Sequence, residues 1–165
     1  MQLDTVDLAM LTELQQEGRL SVTDLAERVH LSHTPCLRRL RRLEEAGVLR
    51  GYAALVDQRA VGLPVNVFVS VTLERQTEAE LDRFEAAVRA CPEVMECYMM
   101  TGSSDFLLRV VAADLDHYED FLKQTLTRIS GIGKIQSSFA LKQVVARAAL
   151  PIQSAKRHFR ELDHQ

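Results

Sequence analysis

Two kinds of hydrophobic spacing predict an α+β fold for this chain. Before residue 60, apolar residues recur every three or four positions in short runs punctuated by Gly18, His30-Leu31 and Gly47, which is the spacing of helices. After Gly62-Leu63-Pro64 the stretch "VNVFVSVTL" alternates strictly, the spacing of a strand, and opens an order of strand, helix, strand, strand, helix, strand. The first pattern predicts a winged helix-turn-helix unit over residues 1–60. The second predicts a ferredoxin-like βαββαβ domain over residues 61–150, and residues 151–165 remain as a helical tail. The boundary between the first two is expected near residues 57–64.

The helices of the first unit are justified one by one. Leu8, Leu11 and Leu14 share a stripe behind Asp4 and Asp7, which favour a helix start, and Gly18 stops it. Ser21 and Asp24 resemble a capping box for a helix of about two turns carrying Val22, Leu25, Ala26 and Val29. A tight connection at His30-Leu31 leads to a third helix capped by Ser32 or Thr34; Pro35 suits its first turn, and Gly47 suits its left-handed end. At about 100° per residue, Cys36, Leu37, Leu40 and Leu43 gather on one side of that helix. Arg38 falls nearly opposite, flanked by Thr34, Pro35, Arg41 and Arg42, with Arg39 at the margin.

The alternation of the second half extends to its remaining elements. A helix is expected from Glu78 to Ala90, strands from Val94 to Thr101 and from Phe106 to Ala113, a helix with Tyr118, Phe121, Leu122 and Leu126, and a last strand from Lys134 to Lys142 after "GIG". Two helices cover one face of such a sheet. Phe68, Ser70, Leu107, Arg109 and Val111 then lie on the other face without an intrachain cover, and a second copy of the sheet is the expected partner.

Composition excludes several classes of function. The chain of 165 residues is 47% hydrophobic and 26% charged, with a net charge of −3, so it is no general polycation. Residues 1–60 hold eight arginines and nine acidic residues, so any nucleic-acid contact rests on local clustering. Such a cluster exists between Leu31 and Tyr52, where five arginines face two glutamates. A short helix, a tight turn and a second helix with an outward basic face fit the major groove of duplex DNA, where guanidinium groups meet guanine edges or phosphates. Ser32, His33, Thr34, Pro35, Arg38, Arg39, Arg41 and Arg42 are the expected DNA contacts, with Arg50 added from the strand-like wing "VLRGYAALV". The plain alternative is a solvated charged face.

No stretch approaches the roughly 18 apolar residues of a membrane span, and the N-terminus lacks a basic secretory start; a cytoplasmic protein without membrane contact is expected. Cys36, Cys91 and Cys97 form no CxxC pair, and Cys36 is expected in the core. The five histidines lack zinc-finger spacing, and there is no nucleophile elbow, phosphate loop or dinucleotide turn. Hence no metal, no cofactor and no enzymatic activity are expected.

The hairpin loop around "TGSSD" makes chemical sense as a site for a small zwitterion. Gly102 lets backbone N–H groups turn toward a carboxylate, and Asp105 can accept from an α-amino group. A plain turn, in which both serve geometry, explains the same residues.

Three stretches carry a family resemblance: "LSHTPCLRRLRRLEEAGVLRGYAALVD", "MTGSSDFLLRVVAADLDHYEDFL" and "GIGKIQSSFALKQV", together with Gly62 in the linker. Along nearly its whole length the chain resembles the leucine-responsive regulatory protein/AsnC family, the feast/famine regulators. The resemblance implies a DNA-binding transcriptional regulator with an amino-acid effector, a dimer joined through the second domain, and assembly of dimers to an octamer. It implies a sensing loop at Met100, Thr101, Gly102, Ser103, Ser104 and Asp105, with Ser137 and Ser138 lining the same crevice between dimers. Ser103 departs from the Asp or Glu common there. The alternative function is an architectural protein that wraps DNA without sensing a small molecule. For the tail, one side of a helix formed by Ile152, Ala155, Phe159 and Leu162 is expected to serve assembly beyond the dimer.

Overall fold

The computed structural model describes residues 1–152. The chain divides into two units, one of residues 1–55 joined by the segment that starts at Val145, the other spanning Val56–Val144.

The first unit contains α1 (Thr5–Gln16), α2 (Val22–Arg28) and α3 (His33–Glu45). Asp4 caps α1 with a complete capping box: its side chain accepts from the Asp7 N–H at 2.8 Å, and the Asp7 side chain accepts from the Asp4 N–H at 3.1 Å. The buried face of α1 is Asp7, Met10, Leu11 and Leu14, one position off the expected leucine stripe, because Met10 enters the core fully while Leu8 stays half-exposed. Ser21 caps α2 through the Asp24 N–H. At the end of α2, His30 adopts a left-handed φ of 57°, with its N–H on Glu27 O and the Leu31 N–H on Ala26 O. This is a Schellman turn with histidine where glycine is usual, and it makes the tight corner into α3. The N-cap of α3 is Ser32, which makes no side-chain capping bond. Gly47, at φ 67°, closes α3 with the same pair of bonds, Gly47 N–H to Glu44 O and Val48 N–H to Leu43 O.

The stretch 48–56, expected as a wing strand, makes no strand ladder among the described residues. A strand needs a hydrogen-bonding strand partner, and no described strand pairs with this stretch: Leu49 packs on the helical core and Tyr52 Oη donates to Glu44, while Leu55 and Val56 are left 85% and 64% exposed. The segment approaching residue 151 has an intrachain seat in the first unit: Gln15 pairs with the Leu150 peptide in both directions, at 2.6 and 3.3 Å, and Ile152 packs against the helical core. The expected tail helix lies, beyond residue 152, outside the described residues.

The second unit is the expected split βαβ domain. It comprises β1 (Val65–Leu73), α4 (Glu78–Arg89), β2 (Val94–Met99), β3 (Phe106–Ala112), α5 (Leu115–Gln124), a 3-10 turn at Leu126–Arg128 and β4 (Ile132–Phe139). The sheet order is β2-β3-β1-β4 with antiparallel pairing throughout. Val67, Val69, Val71 and Leu73 of β1 pack with Phe106, Leu108 and Val110 of β3 under Phe84 and Val88 of α4 and Tyr118 and Phe121 of α5. The last strand begins earlier than expected, since Ile132 already pairs with Leu73 across a register shift, and it ends at Phe139. Val111, expected on the open face, is buried; its N–H donates to Glu93 O, so the chain entering β2 lies against it.

No described helix is long and apolar enough to cross a membrane.

Candidate functional site

The outward side of α3 is built from what its inward side cannot hold. Only Cys36 and Leu43 of its thirteen residues are buried, with Leu37 and Leu40 half-buried. Thr34, Leu37, Arg38, Arg41, Arg42 and Glu45 line a shallow depression on its surface. Ser32, His33, Thr34, Arg38 and Arg41 are exposed, Pro35 is half-buried in the first turn, and Arg50 is exposed beyond the helix. Arg38 and Arg41 have no described acidic partner within 4 Å.

The other two arginines are committed to a buried carboxylate. Asp7 is wholly inaccessible, yet every polar atom of its side chain is served: Oδ1 accepts from Arg39 Nη1 at 2.8 Å, and Oδ2 accepts from Arg42 Nη2 at 2.6 Å and from the Asp4 N–H. Arg39 also donates to Asp4 at 2.5 Å. A buried charge is tolerable only when paired in this way. The Asp7 N–H, and then Arg39, hold the Asp4 carboxyl down at about 2, and the same two carboxylates, Asp4 foremost, raise the guanidinium of Arg39. In the sequence Asp4 and Asp7 read as helix-start signals alone. Their i, i+3 spacing was visible, but the arrival of α3 against them is tertiary.

In the second unit the hairpin loop 100–105 joins β2 to β3. Met100, Thr101, Gly102 and Ser103 are exposed, and Ser104 is half-exposed. Gly102 has φ 121°, a conformation that L side chains rarely adopt. Asp105 is turned inward: Oδ2 accepts from the Leu73 N–H at 2.7 Å and Oδ1 from Gln76 Nε2 at 2.7 Å. Its own N–H and C=O bind Val71 O and the Met100 N–H. Asp105 therefore ties the loop to the exit of β1, a geometric role. Ser137 and Ser138, expected together, are separated by the two-residue period of β4. Ser137, opposite Val69, faces the helices and shares a 2.5 Å hydrogen bond with Tyr118 Oη; Ser138, opposite Phe68, is exposed on the open face. Neither lies at the level of Val71, where the loop is anchored.

On that open face Arg109 is also spent, donating to Glu96 at 2.9 Å and to Asn66 at 3.0 Å. Phe68 and Tyr98 are 40% and 54% exposed beside it, so an apolar surface with an internal ion pair stands uncovered. Burial pushes the thiols of Cys36 and Cys91 up, and partial desolvation and then the Glu85 carboxylate push up that of the more exposed Cys97. Among the described residues no group of three or more His, Cys, Asp or Glu could hold a metal ion.

A helix-turn-helix with an exposed basic helix, followed by a ferredoxin-like domain, is the architecture of a DNA-binding regulator with a second domain. Comparison with known proteins gives the family. The model for the Lrp/AsnC ligand binding domain matches residues 66–150, and that for winged helix-turn-helix DNA-binding matches residues 3–50. The chain is 50% identical over 151 residues to the Bkd operon transcriptional regulator of Pseudomonas aeruginosa, covering 92% of this chain and 99% of that protein. It is 43% identical to the leucine-responsive regulatory protein of Rhizobium meliloti, over 87% of this chain and 92% of that one. Among solved structures, a transcriptional regulator of Neisseria meningitidis in complex with L-Met superposes with a TM-score of 0.87 at 40% identity, covering 93% of this chain and 99% of that one. The chain belongs to the Lrp/AsnC family of transcriptional regulators.

Proposed function

We propose that this regulator reads duplex DNA with the outward face of α3 and responds to an amino acid held around the loop 100–105. The observation that carries the DNA reading is a pair of guanidinium groups, Arg38 and Arg41, that have no acidic partner among the described residues and lie on the same exposed face as Thr34. Ser32 and His33 at the helix start and Arg50 beyond its end supply phosphate contacts. The effector reading is supported by the L-Met complex of the Neisseria relative and by an exposed loop whose backbone is shaped by Gly102 and fixed by Asp105. The exposed loop backbone takes the effector's carboxylate. Asp105 frames the loop and keeps spare lone pairs for the ammonium group. A homodimer joined through the open sheet face fits the exposed Phe68 and Tyr98, and the unpaired stretch 48–56 offers a strand edge to the same second copy. Assembly of dimers to an octamer, and residence in the cytoplasm, follow from the family reading.

Binding of the full chain to an operator fragment and a thermal shift against the common amino acids test this together. Arg38→Ala is expected to weaken operator binding by about 1–3 kcal/mol if it reads a base. A matching amino acid at 100 times its dissociation constant is expected to stabilise the protein by about 2.7 kcal/mol. Unchanged operator binding by folded Arg38→Ala rejects α3 as the reading helix. A flat screen rejects the effector and favours architectural DNA wrapping.

A further inference from the structure

Asp7 controls more than the packing of α1 on α3. By helical geometry Arg42 follows Arg38 by four residues and lies only about 40° from it around the axis, on the outward side. Its guanidinium is nevertheless drawn back to Asp7 at 2.6 Å, and the side chain remains 47% exposed. Arg39, 26% exposed, is held by Asp7 and by Asp4. The four consecutive-turn arginines of α3 are thus divided in two pairs. Arg38 and Arg41 present their charge, while Arg39 and Arg42 both pair with Asp7, which has no access to solvent, and Asp4 supplies the second negative charge through Arg39.

We propose that Asp7 is a positioning residue that sets the charge the recognition helix offers to DNA, withholding Arg42 and Arg39 so that binding rests on the contacts of Arg38 and Arg41. This rests on the reading of α3 as the DNA-contacting helix. The physical logic is the salt dependence of phosphate contacts. Each phosphate neutralised adds about 0.9 to the slope of log affinity against log salt and strengthens binding to any sequence alike. A helix that offered four free guanidinium groups would gain this indiscriminate component. Pinning two of them internally limits it, and the discrimination between operator and random DNA widens.

The experiment measures the affinity of the full-length protein for a random-sequence duplex and for an operator duplex between 50 and 200 mM salt. Asp7→Asn removes the charge while keeping a side chain that can accept the Asp4 N–H. Arg39 stays tied to Asp4, so Arg42 is the group released. The expected result is tighter random-sequence binding and a slope steeper by about 0.9 per recognition helix, which is about a 3.5-fold additional change across that salt range. Arg42→Met in the otherwise unchanged protein is expected to leave slope and affinity as they were, and the double variant is expected to lose the gain of Asp7→Asn. A folded Asp7→Asn protein with an unaltered slope overturns the proposal. So does a flattened slope in Arg42→Met, because Arg42 would then already sit on a phosphate. If circular dichroism shows Asp7→Asn unfolded, Arg42→Met alone decides by the same criterion. Failure of the α3 reading itself shows separately, as unchanged binding by Arg38→Ala.

Discussion

The two units keep their elements in place by different forces. In the second unit β1 buries Val67, Val69, Val71 and Leu73 against both helices, and apolar packing is the larger tie. In the first, α3 has just two fully buried side chains, Cys36 and Leu43, and its orientation depends on the Asp7 ion pairs as well. The difference follows from what each element must do. A strand under two helices can give a whole face to the core. A helix that must leave most of its circumference polar for a partner has little apolar area left, and directional charge pairs fix its rotation instead.

The largest expected effect tests whether packing alone holds the second unit. Phe84 is 1% exposed and stacks on Phe106 with ring centroids 4.5 Å apart. Phe84→Ala is expected to destabilise that unit by about 3–5 kcal/mol. Hydrogen exchange should then show protection lost in β1 and β3 but kept in α1 and α3. Loss in both units together would refute their independence.

A smaller effect is expected where the second unit does use a carboxylate. Asp105→Ala leaves the Leu73 N–H and the Gln76 amide without their acceptor, and a loss of about 1–3 kcal/mol in urea unfolding is expected. Asp105→Asn retains one carbonyl acceptor and is expected to recover most of it. Equal loss in both variants would show that the negative charge, and not the hydrogen bond, matters here.

The smallest effect concerns acid. Asp4 is held at about 2 in the folded protein, below the ordinary carboxylate value, so its contribution is complete above about pH 4 and disappears as pH falls through about 2. Urea midpoints measured across that window should fall less steeply for Asp4→Asn, which still caps α1, than for the natural protein. Parallel curves would assign acid sensitivity to other groups.

How far the sequence discloses these features depends on whether they are local. The alternation of 65–73, the capping residues Asp4 and Ser21 and the left-handed Gly47 are neighbours-only properties, and each stands where its pattern places it. Arg39 and Arg42 look like surface arginines from their own helix; their partner lies more than thirty residues away in α1. Asp105 reads locally as a ligand group alone; its bonds to Leu73 and Gln76, about thirty residues earlier, show only in the fold. Ser137 and Ser138 are adjacent in sequence, which in a strand is the surest sign of opposite faces. The wing shows the reverse limit: a strand-like pattern specifies an edge, but a ladder requires a second strand that this stretch of chain does not meet.

The seat of Leu150 on Gln15 has a consequence for how the protein is made. Synthesis proceeds from the N-terminus, and the two residues are 135 positions apart. At about 5–20 residues per second, the roughly 105 residues from the end of α3 at Glu45 to Leu150 take about 5–21 s, during which the helices lack that seat. During that interval the groove formed by Leu8, Leu11, Leu14, Leu49 and Tyr52 stands open. The helix-turn-helix unit is thus made well before the segment that seats on it, and the newborn chain carries an apolar groove that Ala148, Leu150 and Ile152 later come to line.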